Sequence, residues 1–171
     1  MIDLAALVRA VPDFPTPGVL FRDLSPLLRD PAATRATIAA LIEPFKASGV
    51  ELVAGMEARG FIFGALAAAR LEVGFVPLRK AGKLPTAVEA VSYQLEYGTA
   101  TLEVQRDAIR RGCRVLIVDD VLATGGTALA AASLVERLGG EVVGLGFVLE
   151  LAALGGREKL AGRTLRSVLA L

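Results

Sequence analysis

Runs of apolar residues recur along this chain and predict the strands of a sheet. RVLIV is apolar on both faces, which is typical of a central strand, whereas ATLEVQ alternates apolar and polar positions, as in a strand with one solvated face. The runs that predict strands are ELVAGM, VGFVPL, VEAVSY, ATLEVQ, RVLIVD and EVVGLGFVLEL. Their number predicts one sheet that forms the centre of the fold.

Between these runs the apolar positions follow helical spacing. Helices are predicted over Asp3 to Ala10, from Pro31 to near Gly49, from about Gly60 to Arg70, and from Gly126 to the glycine pair at 139–140. Residues 11–18 are rich in proline and predict an irregular loop. Strands and helices therefore alternate, which predicts a mostly parallel sheet covered on both faces, with its ligand site beyond the carboxyl ends of the strands.

Composition narrows the classes of function. The 171 residues predict one compact domain, and the net charge of +1 gives no sign of a nucleic-acid or membrane partner. The chain has no histidine and one cysteine, so imidazole catalysis, an internal disulfide and a thiolate zinc site are all excluded. The N-terminus lacks the basic leader of a signal peptide, and we expect a cytoplasmic protein.

The clearest chemical signal lies between Arg114 and Gly140. Asp119 and Asp120 follow RVLIV at the predicted carboxyl end of its strand. Two unpaired carboxylates repel each other in a dry site, so they indicate either a ligand with hydroxyl groups or a shared divalent cation.

The segment ATGGT follows these acids and leads into a helix. The backbone N–H groups and the positive end of the helix dipole would face any ligand bound there, which predicts an anion site, most plausibly for a phosphate. Glycines allow close approach of the backbone, and threonines add hydroxyl donors. Acids beside a phosphate loop match the two ends of a ribose 5-phosphate, whereas the Walker and dinucleotide glycine patterns are absent.

VLIVDDVLATGGTA resembles the phosphoribosyl pyrophosphate signature of the type I phosphoribosyltransferases. Four further segments narrow the resemblance to the adenine phosphoribosyltransferases: FPTPGVLFRDLSPLL, GMEARGFIFG, LRKAGKLP and YQLEYGTATLEVQRDA. The resemblance implies an α/β fold of that type, with a mostly parallel central sheet flanked by helices. It also implies a small hood from about residues 11–28 and the C-terminal segment, and a mobile loop at about residues 79–103.

The resemblance implies a role for each matching residue. The ribose 5-phosphate would be held by Asp119, Asp120, Ala123, Thr124, Gly125, Gly126 and Thr127. Pyrophosphate would be bound by Arg59, Arg79, Lys80, Lys83 and Tyr97, and a non-proline cis peptide is expected near Glu57-Ala58. Adenine would contact Leu20, Phe21, Arg22 and Leu151.

Catalysis would combine a carboxylate with a metal ion. Glu96 is the candidate acid-base residue, because a carboxylate on a closing loop can take the proton of the attacking purine. Mg²⁺ would be bound mainly through substrate oxygens and water, with no fixed protein ligands. The expected substrates are adenine and phosphoribosyl pyrophosphate, and the family implies a homodimer.

Two alternatives stay open at the level of sequence. One is the same transfer to another base, such as xanthine, hypoxanthine or orotate. The other is a regulatory protein that senses phosphoribosyl pyrophosphate and binds nucleic acid, although the chain has no excess of positive charge for that role.

Overall fold

The protein was analysed as a computed structural model that describes residues 2–94 and 98–171. Its contacts define two compact units, one that ends at Ala40 and one from Leu41 to Leu171. The prediction that the whole chain is a single domain stays a prediction. In the described residues, no helix combines the length and the apolar character needed to cross a membrane.

The first unit contains a small antiparallel ribbon and helical segments. Arg9 pairs with Asp23 across this ribbon at 2.5 Å, and the rings of Phe14 and Phe21 meet edge to face with centroids 5.1 Å apart. Its elements are a 3-10 turn at Ala5–Leu7, β1 (Arg9–Val11), β2 (Phe21–Asp23), α1 (Ser25–Arg29) and the start of α2 (Pro31–Ile42).

The second unit contains the seven-stranded sheet. Its strands are β3 (Leu52–Met56), β4 (Gly74–Lys80), β5 (Val88–Gln94), β6 (Thr99–Gln105), β7 (Arg114–Leu122), β8 (Glu141–Glu150) and β9 (Leu165–Ala170). Its α-helices after α2 are α3 (Gly60–Leu71), α4 (Gly126–Arg137) and α5 (Gly156–Lys159), and 3-10 turns lie at Glu43–Phe45 and Ala152–Leu154.

The strand order explains where a ligand can bind. The order is β5-β6-β4-β3-β7-β8-β9, and β4, β3, β7, β8 and β9 are mutually parallel, as predicted. The chain passes from β3 outward to β4 in one direction and from β7 outward to β8 in the other. The boundary between β3 and β7 is therefore the switch point at which open α/β sheets bind ligands.

Several predicted elements differ from the structure. The helix predicted over Asp3 to Ala10 is wrong, because only a single 3-10 turn forms before the chain pairs in the β1–β2 ribbon. The helix that begins at Pro31 ends at Ile42 rather than near Gly49, since Pro44 has no N–H with which to continue the hydrogen bonding. The predicted mobile loop at 79–103 contains β5 and most of β6, and its mobility stays a prediction.

Close packing of a glycine against an aromatic ring supports the sheet. A Cβ atom built on Gly144 of β8 would lie 2.1 Å from Cε1 of Phe45, and the ring of Phe45 is fully buried. The ring therefore fills the space that a side chain on β8 would occupy.

We expect Gly144→Ala to lower the free energy of unfolding by about 1 to 3 kcal/mol, the usual cost of overpacking a core. Urea unfolding followed by circular dichroism measures this change. Gly74→Ala is the matched control, because it adds the same methyl group to exposed Gly74 of β4, where the nearest atom would be Leu52 Cδ1 at 3.1 Å. Equal stability of the two variants would contradict the packing argument.

Candidate active site

A cavity of about 550 Å³ opens at the carboxyl edge of the sheet, within the roughly 300 to 1,000 Å³ typical of small-molecule sites. It draws on the β3–α3 connection, the end of β4, the β5–β6 pair, β7 and the start of α4. The residues that line it are Glu57, Ala58, Arg59, Lys80, Tyr93, Ala100, Asp119, Asp120 and Thr127. These residues come from six separate stretches of the sequence, and the fold brings them together.

The two acids of β7 lie where the neighbouring strand stops. β3 pairs with β7 as far as Gly55 opposite Val118, while β8 continues alongside β7 to Glu150 opposite Leu122. Asp119 and Asp120 are therefore within the strand, which runs further than predicted, yet one side of the strand is open there.

The two acids have different electrostatic surroundings. The side chain of Asp120, in a residue that is only 7% exposed, forms an ion pair with Arg59 through Oδ2 and Nε. Asp119 Oδ1 accepts a hydrogen bond from the backbone N–H of Asp120 at 2.8 Å. Burial, and then the negative charge of Asp120, raise the pKa of Asp119 well above its ordinary value. The site therefore disfavours the ionised form of Asp119.

The β3–α3 connection is held against this carboxylate. A Cβ atom on Gly60, the first residue of α3, would lie 2.6 Å from Asp119 Oδ1, so only a glycine allows the helix to begin this close. The peptide bond between Glu57 and Ala58 is cis, as the resemblance predicted. This connection therefore places Arg59 beside Asp120.

The ATGGT segment connects β7 to α4. Gly125 has a left-handed backbone with φ of +79°, and α4 begins at Gly126. Thr127, in the first turn of α4, lies with its Oγ1 atom 3.3 Å from the hydroxyl of Tyr93 on β5. The segment also lines a second cavity together with Asp119, Val121, Leu122, Ala128 and Phe147. Its backbone N–H groups therefore lie at the start of a helix, where the sequence predicts an anion site.

Glu57 contacts the basic residues at the end of β4 and just after it. Its carboxylate accepts hydrogen bonds from Lys83 Nζ at 2.5 Å, from the backbone N–H of Lys80 at 3.0 Å and from Arg79 Nη2 at 3.3 Å. The hydrogen bond from Lys83, followed by those from Lys80 and Arg79, lowers the pKa of Glu57 to about 2. Glu57, which lines the cavity, is therefore ionised at neutral pH and pairs with Arg79 and Lys83.

Comparisons with known proteins show the family to which the chain belongs. Residues 27–170 match the family described as phosphoribosyl transferase domain. An adenine phosphoribosyltransferase of Methylococcus capsulatus is 61% identical over 169 residues, which cover 99% of each chain. This chain belongs to the adenine phosphoribosyltransferases.

Solved structures of adenine phosphoribosyltransferases share the fold. The crystal structure from Rhodothermus marinus superposes with a TM-score of 0.95 at 54% identity, over 98% of this chain and 96% of that one. The structure from Saccharomyces cerevisiae, in complex with an imino-altritol bisphosphate and adenine, has a TM-score of 0.92 at 42% identity, over 98% and 97% of the two chains. The type I phosphoribosyltransferase fold predicted from the sequence is confirmed.

The residues predicted to contact adenine belong to both units. Phe21 and Arg22 belong to β2 of the first unit, and half-exposed Leu20 precedes them. Leu151 follows β8 in the second unit. Glu96 and Tyr97 lie outside the described residues, so their assigned roles stay predictions.

Two polar residues that line the cavity, Tyr93 and Glu57, were not predicted as site residues from the sequence. Tyr93 was expected only as part of a strand, because its spacing carries no chemical signal. Glu57, the acid of GMEARG, was predicted only as part of the cis peptide. An acid with no predicted partner, two residues before Arg59, could nevertheless have indicated a contact with nearby cations.

We expect Asp119→Asn to stabilise the protein at neutral pH while it weakens the binding of phosphoribosyl pyrophosphate roughly tenfold or more. A raised folded-state pKa means that the ionised carboxyl costs stability at high pH. Removing the charge therefore raises the melting temperature, by about 2 to 4 °C for each kcal/mol relieved.

This gain should fade as the pH falls toward about 4, where the wild-type carboxyl is protonated on folding. Thermal melts at several pH values test the prediction, and exposed Asp107→Asn serves as the matched control. A lower melting temperature for Asp119→Asn at pH 7 would refute it.

Proposed function

We propose that this chain transfers the 5-phosphoribosyl group from phosphoribosyl pyrophosphate to adenine, giving AMP and pyrophosphate. The observation that carries the proposal is the pair of β7 carboxylates directly beside a glycine-containing loop at the start of α4, both facing the same edge of the sheet. The yeast adenine phosphoribosyltransferase that shares this fold was solved with adenine, which favours this base over xanthine, hypoxanthine or orotate.

In this proposal Asp119 and Asp120 accept hydrogen bonds from the ribose hydroxyls, and residues 123–127 bind the 5-phosphate. The raised pKa of Asp119 supports its proposed role in binding ribose. Burial and the charge of Asp120 destabilise the Asp119 carboxylate, and a hydrogen bond from a ribose hydroxyl would stabilise it. The N–H groups at the start of α4, the hydroxyls of Thr124 and Thr127 and the helix dipole would bind the phosphate.

The proposed pyrophosphate ligands are Arg59, Arg79, Lys80, Lys83 and Tyr97. Arg59 is paired with Asp120, and Arg79 and Lys83 are paired with Glu57, so these cations are already held beside the cavity. Pyrophosphate would exchange some of these carboxylate contacts for phosphate contacts of the same charge-assisted kind.

Adenine would stack on Phe21, with Leu20, Arg22 and Leu151 around it. Stacking contributes about 1 to 3 kcal/mol for any base, so the choice of adenine must depend on hydrogen bonds to its edge. As the bond between ribose C1 and the pyrophosphate oxygen breaks, a ring nitrogen of adenine bonds to C1, and Glu96 takes the proton from the purine.

Magnesium fits the groups that the site offers. In residues 2–94 and 98–171, no three side chains of the types His, Cys, Asp and Glu cluster as a metal site. The carboxylates of Asp119 and Asp120 line the cavity, where they would orient the waters of an ion bound mainly by phosphate and ribose oxygens. When bound, Mg²⁺ would neutralise the charge that develops on the departing pyrophosphate.

The proposal includes a cytoplasmic homodimer, as the resemblance implies. Ile62 and Leu66 lie one turn apart on α3, and each is more than 40% exposed. Such apolar side chains on one helix face are available for burial against a second copy. Light scattering coupled to size exclusion measures the mass of the particle.

The decisive test offers phosphoribosyl pyrophosphate and Mg²⁺ with adenine, hypoxanthine, guanine, xanthine or orotate. We expect AMP from adenine and little nucleotide from the other bases. Glu96→Gln should lower kcat by about 10² to 10⁴, which is the usual contribution of proton transfer, and the control Glu89→Gln, on β5, should not. No nucleotide from any base, with ribose 5-phosphate still bound, would overturn the enzymatic function and favour the sensor.

A second test separates the two phosphate sites. We expect Lys83→Met to weaken the binding of pyrophosphate about tenfold or more, as for a lost charge-assisted hydrogen bond, while the affinity for ribose 5-phosphate changes less than about twofold. Isothermal titration calorimetry gives both constants. Lys46→Met is the control, because Lys46 pairs with Glu43 on the surface. Equal losses for both ligands in Lys83→Met would refute the assignment of Lys83 to pyrophosphate.

A further inference from the structure

A charged pair at the end of β8, between buried Glu150 and exposed Arg157, has no part in the proposed reaction. Glu150 is 6% exposed, and its carboxylate accepts hydrogen bonds from Arg157 Nε at 2.9 Å and Nη2 at 2.5 Å. Ser167 Oγ on β9 donates a third hydrogen bond at 2.7 Å. The hydrogen bonds from Arg157 lower the pKa of Glu150, so the carboxylate is ionised at neutral pH.

This pair closes a short loop of chain on the sheet. Residue 150 ends β8, and Arg157 belongs to α5, so the bidentate pair joins the two ends of residues 150–157. Backbone hydrogen bonds fix the first end, from Leu151 N–H to Leu122 O and from Leu171 N–H to Glu150 O, both at 2.9 Å. The second end is held by the guanidinium of Arg157 and by Leu160, which follows α5 and is buried in the core.

The second end lies directly against the proposed 5-phosphate loop. A Cβ atom on Gly156 would lie 2.1 Å from the carbonyl oxygen of Ala123. A Cβ atom on Gly125 would lie 2.7 Å from the carbonyl oxygen of Gly156. Backbone therefore packs on backbone with no side chain between them, and any shift of Gly156 changes the support of the loop.

An ion pair is well suited to holding Gly156 against the proposed 5-phosphate loop. An ion pair with a solvent-exposed partner contributes little to stability, and the Arg157 side chain is 54% exposed, so stability alone does not account for charges at this position. A guanidinium and a carboxylate in fork geometry do fix direction and distance, because two parallel hydrogen bonds define one relative orientation.

We propose that Glu150 and Arg157 are positioning residues that hold Gly156 against residues 123–127 and thereby fix the geometry of the 5-phosphate site. This inference rests on the proposed function, which assigns the 5-phosphate to that loop. Neither residue touches substrate. Their effect passes through the backbone of Gly156.

The test measures the affinities of ribose 5-phosphate and of pyrophosphate by isothermal titration calorimetry. We expect Glu150→Gln to raise the Kd for ribose 5-phosphate roughly tenfold, because misplaced N–H donors lose charge-assisted hydrogen bonds, while the Kd for pyrophosphate changes less than about twofold. Glu141→Gln is the matched control. Glu141 is the first residue of the same strand, it pairs with Arg114 at 3.1 Å, and we expect its loss to change neither constant.

Further variants keep the test decisive if Glu150→Gln does not fold. Gly156→Ala should reproduce the selective loss, because its methyl group displaces the carbonyl of Ala123. Ser167→Ala removes one of the three hydrogen bonds to Glu150 and should give a smaller loss of the same kind.

Each result separates the hypotheses. Unchanged binding of ribose 5-phosphate in folded Glu150→Gln, or equal loss of both ligands, overturns the positioning role and leaves the proposed function standing. Failure of the wild-type protein to bind ribose 5-phosphate overturns the proposed phosphate site and this inference with it. A selective loss in Glu150→Gln that Glu141→Gln does not share supports the inference.

Discussion

Asp119 and Asp120 bring two carboxylates to adjacent positions of β7, where burial makes each charge more costly than in water. The elements around the two acids are arranged to accommodate these charges. β3 stops pairing just before the acids, so one side of the strand stays open to a ligand. Gly60 lets α3 begin against Asp119, and that start places Arg59 on Asp120. The pair therefore links the sheet, the helix and the proposed ribose site.

The positive charges of the site are also paired with carboxylates. Arg59 is matched by Asp120, and Arg79 and Lys83 are matched by Glu57, whose pKa is low because of them. A cation that already lies in an ion pair loses little conformational freedom when a phosphate arrives. The same pairing lowers the net attraction for an anion, since a carboxylate contact must be exchanged. The site is therefore more preorganised, but it binds an anion less strongly than unpaired cations would.

The parts of the fold that could be predicted from the sequence are local in the chain. The apolar strands, the loop at residues 123–127 and the adjacent acids are each contained in one short stretch, so pattern and spacing suffice. The β1–β2 ribbon could not be predicted, because its short strands depend on pairing with each other rather than on propensity. The contacts of Glu57 with Lys83 and of Gly156 with Ala123 join segments far apart in sequence, and nothing in either segment marks the partner.

The loop closed by Glu150 and Arg157 has a consequence for the reaction itself. Its first residue after the strand, Leu151, is a proposed adenine contact, and its far end, Gly156, supports the proposed 5-phosphate loop. Both ends are tied to the same strand of the sheet. Attack of adenine on C1 of the ribose depends on the separation of base and phosphate, and an error of about 1 Å can cost 10²-fold in rate. A rigid ion-paired loop between the two sites would keep that separation constant.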